Sequence, residues 1–172
     1  TSDFITSLKL EQPSLIGHSL GGVGSFGVAS VNPGNLYKVV ALSPGLPMNR
    51  QGLSGILKGL SHYLDKKAKT PVKSALFFVL NTLPLDLHLL RNPQAWAGIT
   101  NDVRALQLEQ FQAYVPSLIL HAEDDEFIEL STKVEEGIRA NGIVVKRFVG
   151  LDHNWPISYA GLATREILEF LR

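Results

Sequence analysis

The chain has 172 residues, of which 45% are hydrophobic and 19% are charged, a balance typical of a domain that buries a core. Its 16 Lys and Arg residues equal its 16 Asp and Glu residues, so no overall charge attracts nucleic acid or an anionic membrane, and a neutral or small ligand fits best. Cysteine is absent, which excludes disulfides, thiolate metal sites and cysteine nucleophiles.

The sequence outside residues 46–112 predicts strands and helices in alternation. Residues 1–12 have the pattern of an amphipathic helix that runs directly into a strand at Ser14–Gly17, and a glycine-rich helix follows from Ser19 to about Asn32. Three more apolar, β-rich runs predict strands at Leu36–Ser43, Pro116–His121 and Ile143–Val149. Because these runs are continuously apolar rather than alternating, we expect strands that are buried on both faces.

Two further helices and an insertion complete the predicted pattern. One helix is predicted before Asn141-Gly142, and another closes the chain over 157–171. The alternation predicts an α/β fold with a parallel sheet of about four strands, built from 1–45 and 113–172. Residues 46–112 separate the second and third strands and predict a helical cap over the carboxyl edge of the sheet. Its helical stretches are expected near 51–64, 71–83 and 93–114.

Gly17 to Gly21 (GHSLG) fits the pattern G-x-S-x-G, in which a serine lies on a strained turn between a strand and a helix and flanking glycines leave room for the backbone. The pattern alone is weakly specific, but here it follows a predicted strand and opens a predicted helix. Ser19 is therefore predicted to be a nucleophile, the alternative being an ordinary serine in a glycine-rich turn. His18 is adjacent to Ser19, so we interpret it as a packing or substrate-pocket residue rather than as a base.

A serine hydroxyl needs a base within hydrogen-bond reach, and here that base must be histidine. His153 lies in a loop between the last strand and the last helix, where a turn can aim the imidazole at the nucleophile. The alternative is an ordinary loop histidine. His62 and His88 fall in the predicted cap, and His121 ends the third strand, where a satisfied core histidine is the simpler interpretation.

Four consecutive acidic residues, Glu123 to Glu126, follow the third strand. The spacing places Asp125 beyond the turn, with Ile128 anchoring the next segment in the core, so Asp125 is favoured over Asp124 as the carboxylate that orients the imidazole. The alternative is a solvated acidic loop. It is less favoured because the chain order Ser, Asp, His follows successive carboxyl ends of the predicted strands.

Together these segments resemble the α/β-hydrolase fold family of serine esterases and lipases, from the strand before the nucleophile to the final helix. GHSLGG at 17–22 resembles the family's nucleophile turn, HAEDDEFI at 121–128 its acid loop, and GLDHN at 150–154 its histidine loop. Ala122 stands where glycine is usual and Asp152 where a small residue is common. The insertion matches the position of the family's cap.

The resemblance implies a serine hydrolase that forms an acyl-enzyme on Ser19, with His153 as base, Asp125 as its orienting acid and the backbone N–H of Leu20 as one oxyanion-hole donor. No metal or organic cofactor is implied. The apolar cap favours a small hydrophobic substrate, such as a carboxylic ester or a monoglyceride. Two alternatives stay open: the same three residues used for carbon–carbon bond hydrolysis or perhydrolysis, and a non-catalytic fragment or small-ligand-binding protein.

The family's first four strands, and the loop that supplies a second oxyanion donor, have no counterpart before Thr1. We therefore expect the N-terminal half of the sheet to be missing and the chain alone to be a poor enzyme. The strand at Ser14–Gly17 would then be an exposed edge that associates with the missing segment or with a partner.

Neither a nucleic-acid partner nor a membrane span is expected. The lysines around Lys66-Lys67-Ala68-Lys69 are better explained as a solvated face of the cap than as a nucleic-acid site. The apolar stretch at 74–90 is interrupted by Pro84, Asp86 and His88, so no membrane span is predicted. Without a signal-peptide pattern, the expected location is the cytoplasm.

Overall fold

A computed structural model of the chain describes residues 2–31, 33–45, 113–125 and 127–172. All of them belong to the first of two units into which the chain divides, which is formed by 1–48 together with 106–172. The predicted cap at 46–112, with His62, His88 and the lysine cluster, lies outside the described residues and stays a prediction.

Four parallel strands form one sheet in the order β1-β2-β3-β4. They are β1 (Leu15–His18), β2 (Val39–Leu42), β3 (Ser117–Ala122) and β4 (Val144–Phe148). The predicted α/β class and the parallel sheet of about four strands are confirmed. β2 and β3 are buried along their whole length, as continuous apolarity predicts. β1 and β4 are not, because among the described strands each has a neighbour on one side only, and Ile16 and Val144 are about half exposed.

The described helices are α1 (Ser2–Ser7), α2 (Leu20–Val31), α3 (Thr132–Ala140), α4 (Trp155–Ser158) and α5 (Ala160–Leu171). None of them is long and apolar enough to cross a membrane. The prediction that the first helix runs directly into β1 is wrong. The N–H of Leu10 donates to the carbonyl of Ile5 and Lys9 has a φ of 52°, which is the left-handed stop that ends many helices.

The C-terminal helices are close to their predicted positions. Ser131 caps α3 by accepting the N–H of Val134 at 3.4 Å, and Asn141 follows its last residue. The single closing helix predicted over 157–171 is two helices instead. Tyr159, with φ of −125° and ψ of 49°, lies outside the helical region and separates α4 from α5.

The core consists of two apolar clusters divided by the sheet. Val39 and Ala41 of β2 belong to one cluster, together with Phe26 of α2. Val40 and Leu42 belong to the other, together with residues that include Trp155 and Ala163. Successive residues of a strand point to opposite faces, so the two clusters cover the two sides of the sheet. The buried middle strands thereby provide a rigid support for the loops at their ends.

Parallel pairing brings the carboxyl ends of the strands to one edge. His18 at the end of β1 pairs with Leu42, and Ala122 at the end of β3 pairs with Phe148 of β4. The N–H of Ser43 continues this alignment by donating to the carbonyl of Leu120 at 2.8 Å. The segments after β1, β3 and β4, which contain the predicted site residues, therefore leave the sheet at the edge where open α/β sheets bind ligands.

Candidate active site

The chain turns sharply from β1 into α2 at Ser19. This serine has a φ of 53°, in the left-handed region that residues with a side chain rarely adopt. Its N–H donates to the carbonyl of Leu42 at 3.0 Å, and its carbonyl accepts the N–H groups of Gly22 and Gly45, each at 3.0 Å. A strained conformation persists only where its surroundings hold it, and these bonds to the neighbouring strand end provide that support.

Close contacts explain some glycines of this turn but not all. A Cβ atom on Gly17 would lie 2.2 Å from the carbonyl oxygen of Gly21, and one on Gly22 would lie 3.2 Å from the side chain of Ala41 on β2. A Cβ on Gly21 would meet no described atom within 4 Å. The expectation that both flanking glycines make room for the backbone is thus correct for Gly17. For Gly21 it is wrong within the described residues, because the tight approach to the sheet occurs one residue later.

Asp125 and His153 are hydrogen-bonded, with 2.8 Å between Oδ2 of the aspartate and Nδ1 of the histidine. The side chain of Asp125 has no exposed surface and that of His153 is 11% exposed. The other carboxylate oxygen, Oδ1, accepts the N–H groups of Phe127 and Ile128, both at 3.0 Å. A neutral imidazole that donates from Nδ1 carries its lone pair on Nε2, so this pair presents a base at that nitrogen.

The conformation of the acid loop, which follows β3, distinguishes the two candidate aspartates. Asp124 is exposed, and its backbone N–H donates to the carbonyl of Leu151 at 3.1 Å. The N–H of Glu123 donates to the carbonyl of Phe148 at 2.9 Å. These backbone bonds tie the acid loop to the segment that leads to the histidine. The structure brings Asp125, and not Asp124, to His153; Glu126 lies outside the described residues.

His18 also contacts the histidine loop. Its Nε2 donates to the backbone carbonyl of His153 at 2.9 Å, and the two imidazole rings lie 4.9 Å apart between centroids, tilted by 41°. Burial lowers the pKa of His18, although the bond to the His153 carbonyl and the charge of Asp125 act in the opposite direction. The sequence interpretation as a packing residue missed this specific contact. Its assignment as a substrate-binding residue stays a prediction.

Phe127 and Trp155, which the sequence analysis did not single out, help to hold the histidine loop in place. The ring of Phe127 lies edge-on to the His153 ring with 5.1 Å between centroids. Trp155 is completely buried, and its Nε1 donates to the hydroxyl of Ser43 at 3.3 Å. Asp152, which departs from the family pattern, accepts the N–H of Asn154 at 3.1 Å. The aromatic residues flanking the acid and histidine loops were the available signal for these contacts.

His121 is buried at the end of β3, with 2% of its surface exposed. Its Nδ1 has no hydrogen-bond partner among the described residues. The interpretation as a core histidine is therefore correct for its burial, but the expectation that it is satisfied is wrong for this atom. Burial lowers the pKa of His121, while the nearby Asp125 acts to raise it. A neutral ring is the less costly state for a buried imidazole without a partner.

Leu20 begins α2, so its N–H is one of the first four amides of the helix, which have no intrahelical acceptor. A Cβ on Gly45 would lie 3.9 Å from this nitrogen, so the loop after β2 passes close to it. The positive end of the helix dipole is at the same place. Within the described part of the chain, no group of three or more His, Asp or Glu side chains could hold a metal ion.

No family model matches the chain, and no curated protein sequence matches it. Solved structures do match it. An esterase from a marine microorganism has a TM-score of 0.65 at 20% identity. A lipase-esterase related protein from Clostridium acetobutylicum has 0.65 at 22%, and the monoacylglycerol lipase of Paleococcus ferrophilus has 0.62 at 19%. Each match covers 98% of this chain and 71 to 73% of the other, so the likeness is one of fold over almost the entire sequence.

Proposed function

We propose that this chain, which has the α/β-hydrolase fold, carries the catalytic residues of a serine hydrolase that acts on carboxylic esters. The observation that carries the proposal is the buried pair of Asp125 and His153, at the same edge of the sheet as the strained turn at Ser19. The similar structures named as an esterase and a monoacylglycerol lipase support the same class of reaction here.

In the proposed reaction, His153 removes the proton of the Ser19 hydroxyl while the serine oxygen attacks the ester carbonyl carbon. The tetrahedral intermediate then breaks its bond to the alcohol oxygen, which takes the proton from His153, and an acyl-enzyme remains. Water then loses a proton to His153 and adds to the acyl carbon. The bond between the acyl carbon and the serine oxygen breaks, the serine oxygen takes the proton back from His153, and the carboxylic acid is released. Asp125 keeps the proton of the neutral imidazole on Nδ1 and stabilises the cation that forms.

The negative charge of the intermediate develops on the former carbonyl oxygen. We assign the N–H of Leu20 as one donor to that oxygen, because it lies directly after the nucleophile and at the positive end of α2. A donor of this kind contributes about 100- to 1,000-fold to turnover. The apolar composition of residues 74–90 favours a substrate with a hydrophobic acyl group.

Covalent labelling with a fluorophosphonate probe tests the proposal directly, since the probe reacts with a serine that a neighbouring base activates. The wild-type chain should be labelled and Ser19→Ala should not. Ser30→Ala is the matched control, because Ser30 is an exposed serine of α2, the helix that follows Ser19, and its hydroxyl donates to the carbonyl of Gly27 at 2.8 Å. This control should label like the wild type.

A folded wild-type sample that shows no Ser19-dependent labelling would contradict the proposal and favour ligand binding without catalysis. For a labelled chain, a substrate panel separates the reaction classes. Hydrolysis of p-nitrophenyl esters of increasing chain length reports esterase activity, whereas peracid formation or cleavage of a carbon–carbon bond in preference to esters would replace that assignment.

A further inference from the structure

We propose that His18 is a positioning residue, whose hydrogen bond to the backbone carbonyl of His153 holds the histidine loop in register with the nucleophile turn. The inference rests on the proposed function, because it assigns His18 a part in the same site. It differs from the substrate-binding assignment that the sequence suggested. The bond is 2.9 Å long and joins segments 135 residues apart.

The sheet by itself does not connect these two segments. His18 ends β1 and His153 follows β4, and the order β1-β2-β3-β4 places two strands between them. Neighbouring strands are about 4.8 Å apart, so the two strand ends are separated by roughly 14 Å. No ladder bond can span that distance. A side chain that reaches across the edge of the sheet is therefore what links the two loops directly.

Asp125, Phe127 and His18 each restrain His153. Asp125 accepts a hydrogen bond from its Nδ1, and Phe127 packs edge-on against its ring. His18 donates to its backbone carbonyl, and the centroids of the two imidazole rings are 4.9 Å apart. The first two belong to the acid loop. Of the three, His18 is the one that belongs to the nucleophile segment, since it precedes Ser19. It relates the position of the base to the position of the nucleophile.

The protonation state of His18 is consistent with a positioning role. Burial lowers its pKa, so the ring is neutral at neutral pH, with its proton on the Nε2 that donates to the carbonyl. A neutral ring adds no positive charge beside His153, which becomes a cation during the proposed reaction. A charged ring at 4.9 Å would disfavour that cation. Because Nε2 donates to the carbonyl of His153, His18 is suited to hold the histidine loop.

The test compares two substitutions that separate the donor from the ring. His18→Phe keeps a planar ring and removes the donor, whereas His18→Gln supplies an N–H near the position of Nε2. With a p-nitrophenyl ester, His18→Phe should lower kcat about 10- to 100-fold, because a displacement of about 1 Å has that effect on proton transfer, and KM should change less than about threefold. His18→Gln should recover most of the lost kcat.

Lys38→Met provides the matched control. The Nζ atom of Lys38 donates to the carbonyl of Phe170 at 2.8 Å, in a partly buried bond that joins segments 132 residues apart. It is thus a bond of the same kind, but Lys38 precedes β2 and lies at the opposite edge of the sheet. This variant should lose stability and keep its kcat. If it loses as much kcat as His18→Phe does, the effect is one of general stability and the inference is overturned.

Other results also overturn it. A folded His18→Phe with wild-type kcat excludes a positioning role, and a raised KM at unchanged kcat makes His18 a substrate contact instead. Failure of His18→Gln to rescue activity excludes the hydrogen bond as the cause. His18→Leu replaces His18→Phe in these comparisons if the phenylalanine variant does not fold.

Failure of the proposed function is recognised separately, by the absence of Ser19-dependent labelling in the wild type. Hydrogen exchange of the amides of Trp155 and Ile157, which bond within the histidine loop and its helix, then decides the inference. Exchange should be faster in His18→Phe and close to wild type in His18→Gln. Equal exchange in all three proteins would overturn the positioning role.

Discussion

The carboxylate of Asp125 meets the imidazole of His153 at 2.8 Å, although 28 residues separate them in the chain. The carboxylate is fully buried, and its second oxygen accepts two backbone N–H groups, from Phe127 and Ile128. A buried charge without partners costs several kcal/mol, so this network both stabilises the carboxylate and fixes its orientation. The aspartate thereby determines which nitrogen of the imidazole carries the proton.

Asp125→Asn should lower kcat by about 10⁴-fold, because an amide NH2 directed at Nδ1 favours the tautomer that cannot accept the serine proton at Nε2. The fold should persist, since the amide oxygen still accepts from the two backbone N–H groups. Asp124→Asn is the control, because Asp124 is exposed at the adjacent position, and it should keep kcat within about twofold. Steady-state ester hydrolysis measures both. Equal losses in the two variants would refute the assignment.

Gly17→Ala should destabilise the fold by about 3 kcal/mol or more, because the added Cβ would lie 2.2 Å from the carbonyl oxygen of Gly21. Gly24→Ala is the matched glycine within α2, where a Cβ meets no described atom within 4 Å. It should raise the free energy of unfolding by about 0.5 to 1 kcal/mol, because alanine favours the helix. Urea denaturation measures both changes. A Gly17→Ala variant as stable as the wild type would show that the turn is not as tight as described.

The stability of the fold should fall on mild acidification. Burial lowers the pKa of His18 and His121 from the ordinary value of 6.5. Below pH 6.5 the unfolded chain therefore binds more protons than the folded chain at these residues. The contribution of these histidines to the free energy of unfolding is complete above pH 6.5. Below that pH the free energy of unfolding decreases, by at most about 1.4 kcal/mol per pH unit for each histidine. Urea midpoints at pH 7.5, 6.5 and 5.5 measure the slope.

His121→Leu should flatten that slope, because it removes one of the two described histidines whose pKa burial lowers, together with its unbonded Nδ1. The carboxylates of Glu135 and Glu166 titrate below this pH range and do not contribute to the slope. For Glu135, burial acts to raise the pKa but the bonds from Arg139 and Arg147 lower it below 4.5, and the bond from Lys146 lowers that of Glu166. Their contributions to the free energy of unfolding are therefore complete above pH 4.5 and are lost only as the pH falls below it. An unchanged slope in His121→Leu between pH 6.5 and 5.5 would contradict the assignment.

Trp155→Phe should destabilise the fold by about 1 to 3 kcal/mol, because the buried hydroxyl of Ser43 loses the N–H that it accepts. Packing against Phe148, with ring centroids 4.9 Å apart, is also reduced. Ile157→Ala is the control on the same helix, and its 68% exposure predicts a change within about 0.5 kcal/mol. Thermal unfolding followed by circular dichroism compares the two. A larger loss in the isoleucine variant would contradict the described packing.

The local pattern of apolar residues was sufficient to predict most strands and helices of the described fold. The apolar runs around Val39–Leu42 and Ser117–Ala122 predicted buried parallel strands, because continuous apolarity satisfies a strand covered on both faces. The pattern failed at helix ends. Neither Lys9 nor Tyr159 is a glycine or a proline, so the residue at which the chain leaves the helical conformation carries no signal of its own. Such ends depend on the packing of the rest of the chain.

The sequence by itself determined the order of the site segments along the chain and, through strand polarity, the edge of the sheet at which they lie. It also favoured Asp125 over Asp124 by spacing. Only the tertiary structure decided which side chains touch: the bond of His18 to the His153 carbonyl, the orphan nitrogen of His121 and the glycine that the sheet requires. The physical reason is that periodicity reports burial and direction along one segment. Contacts between segments are set by how the sheet aligns their ends.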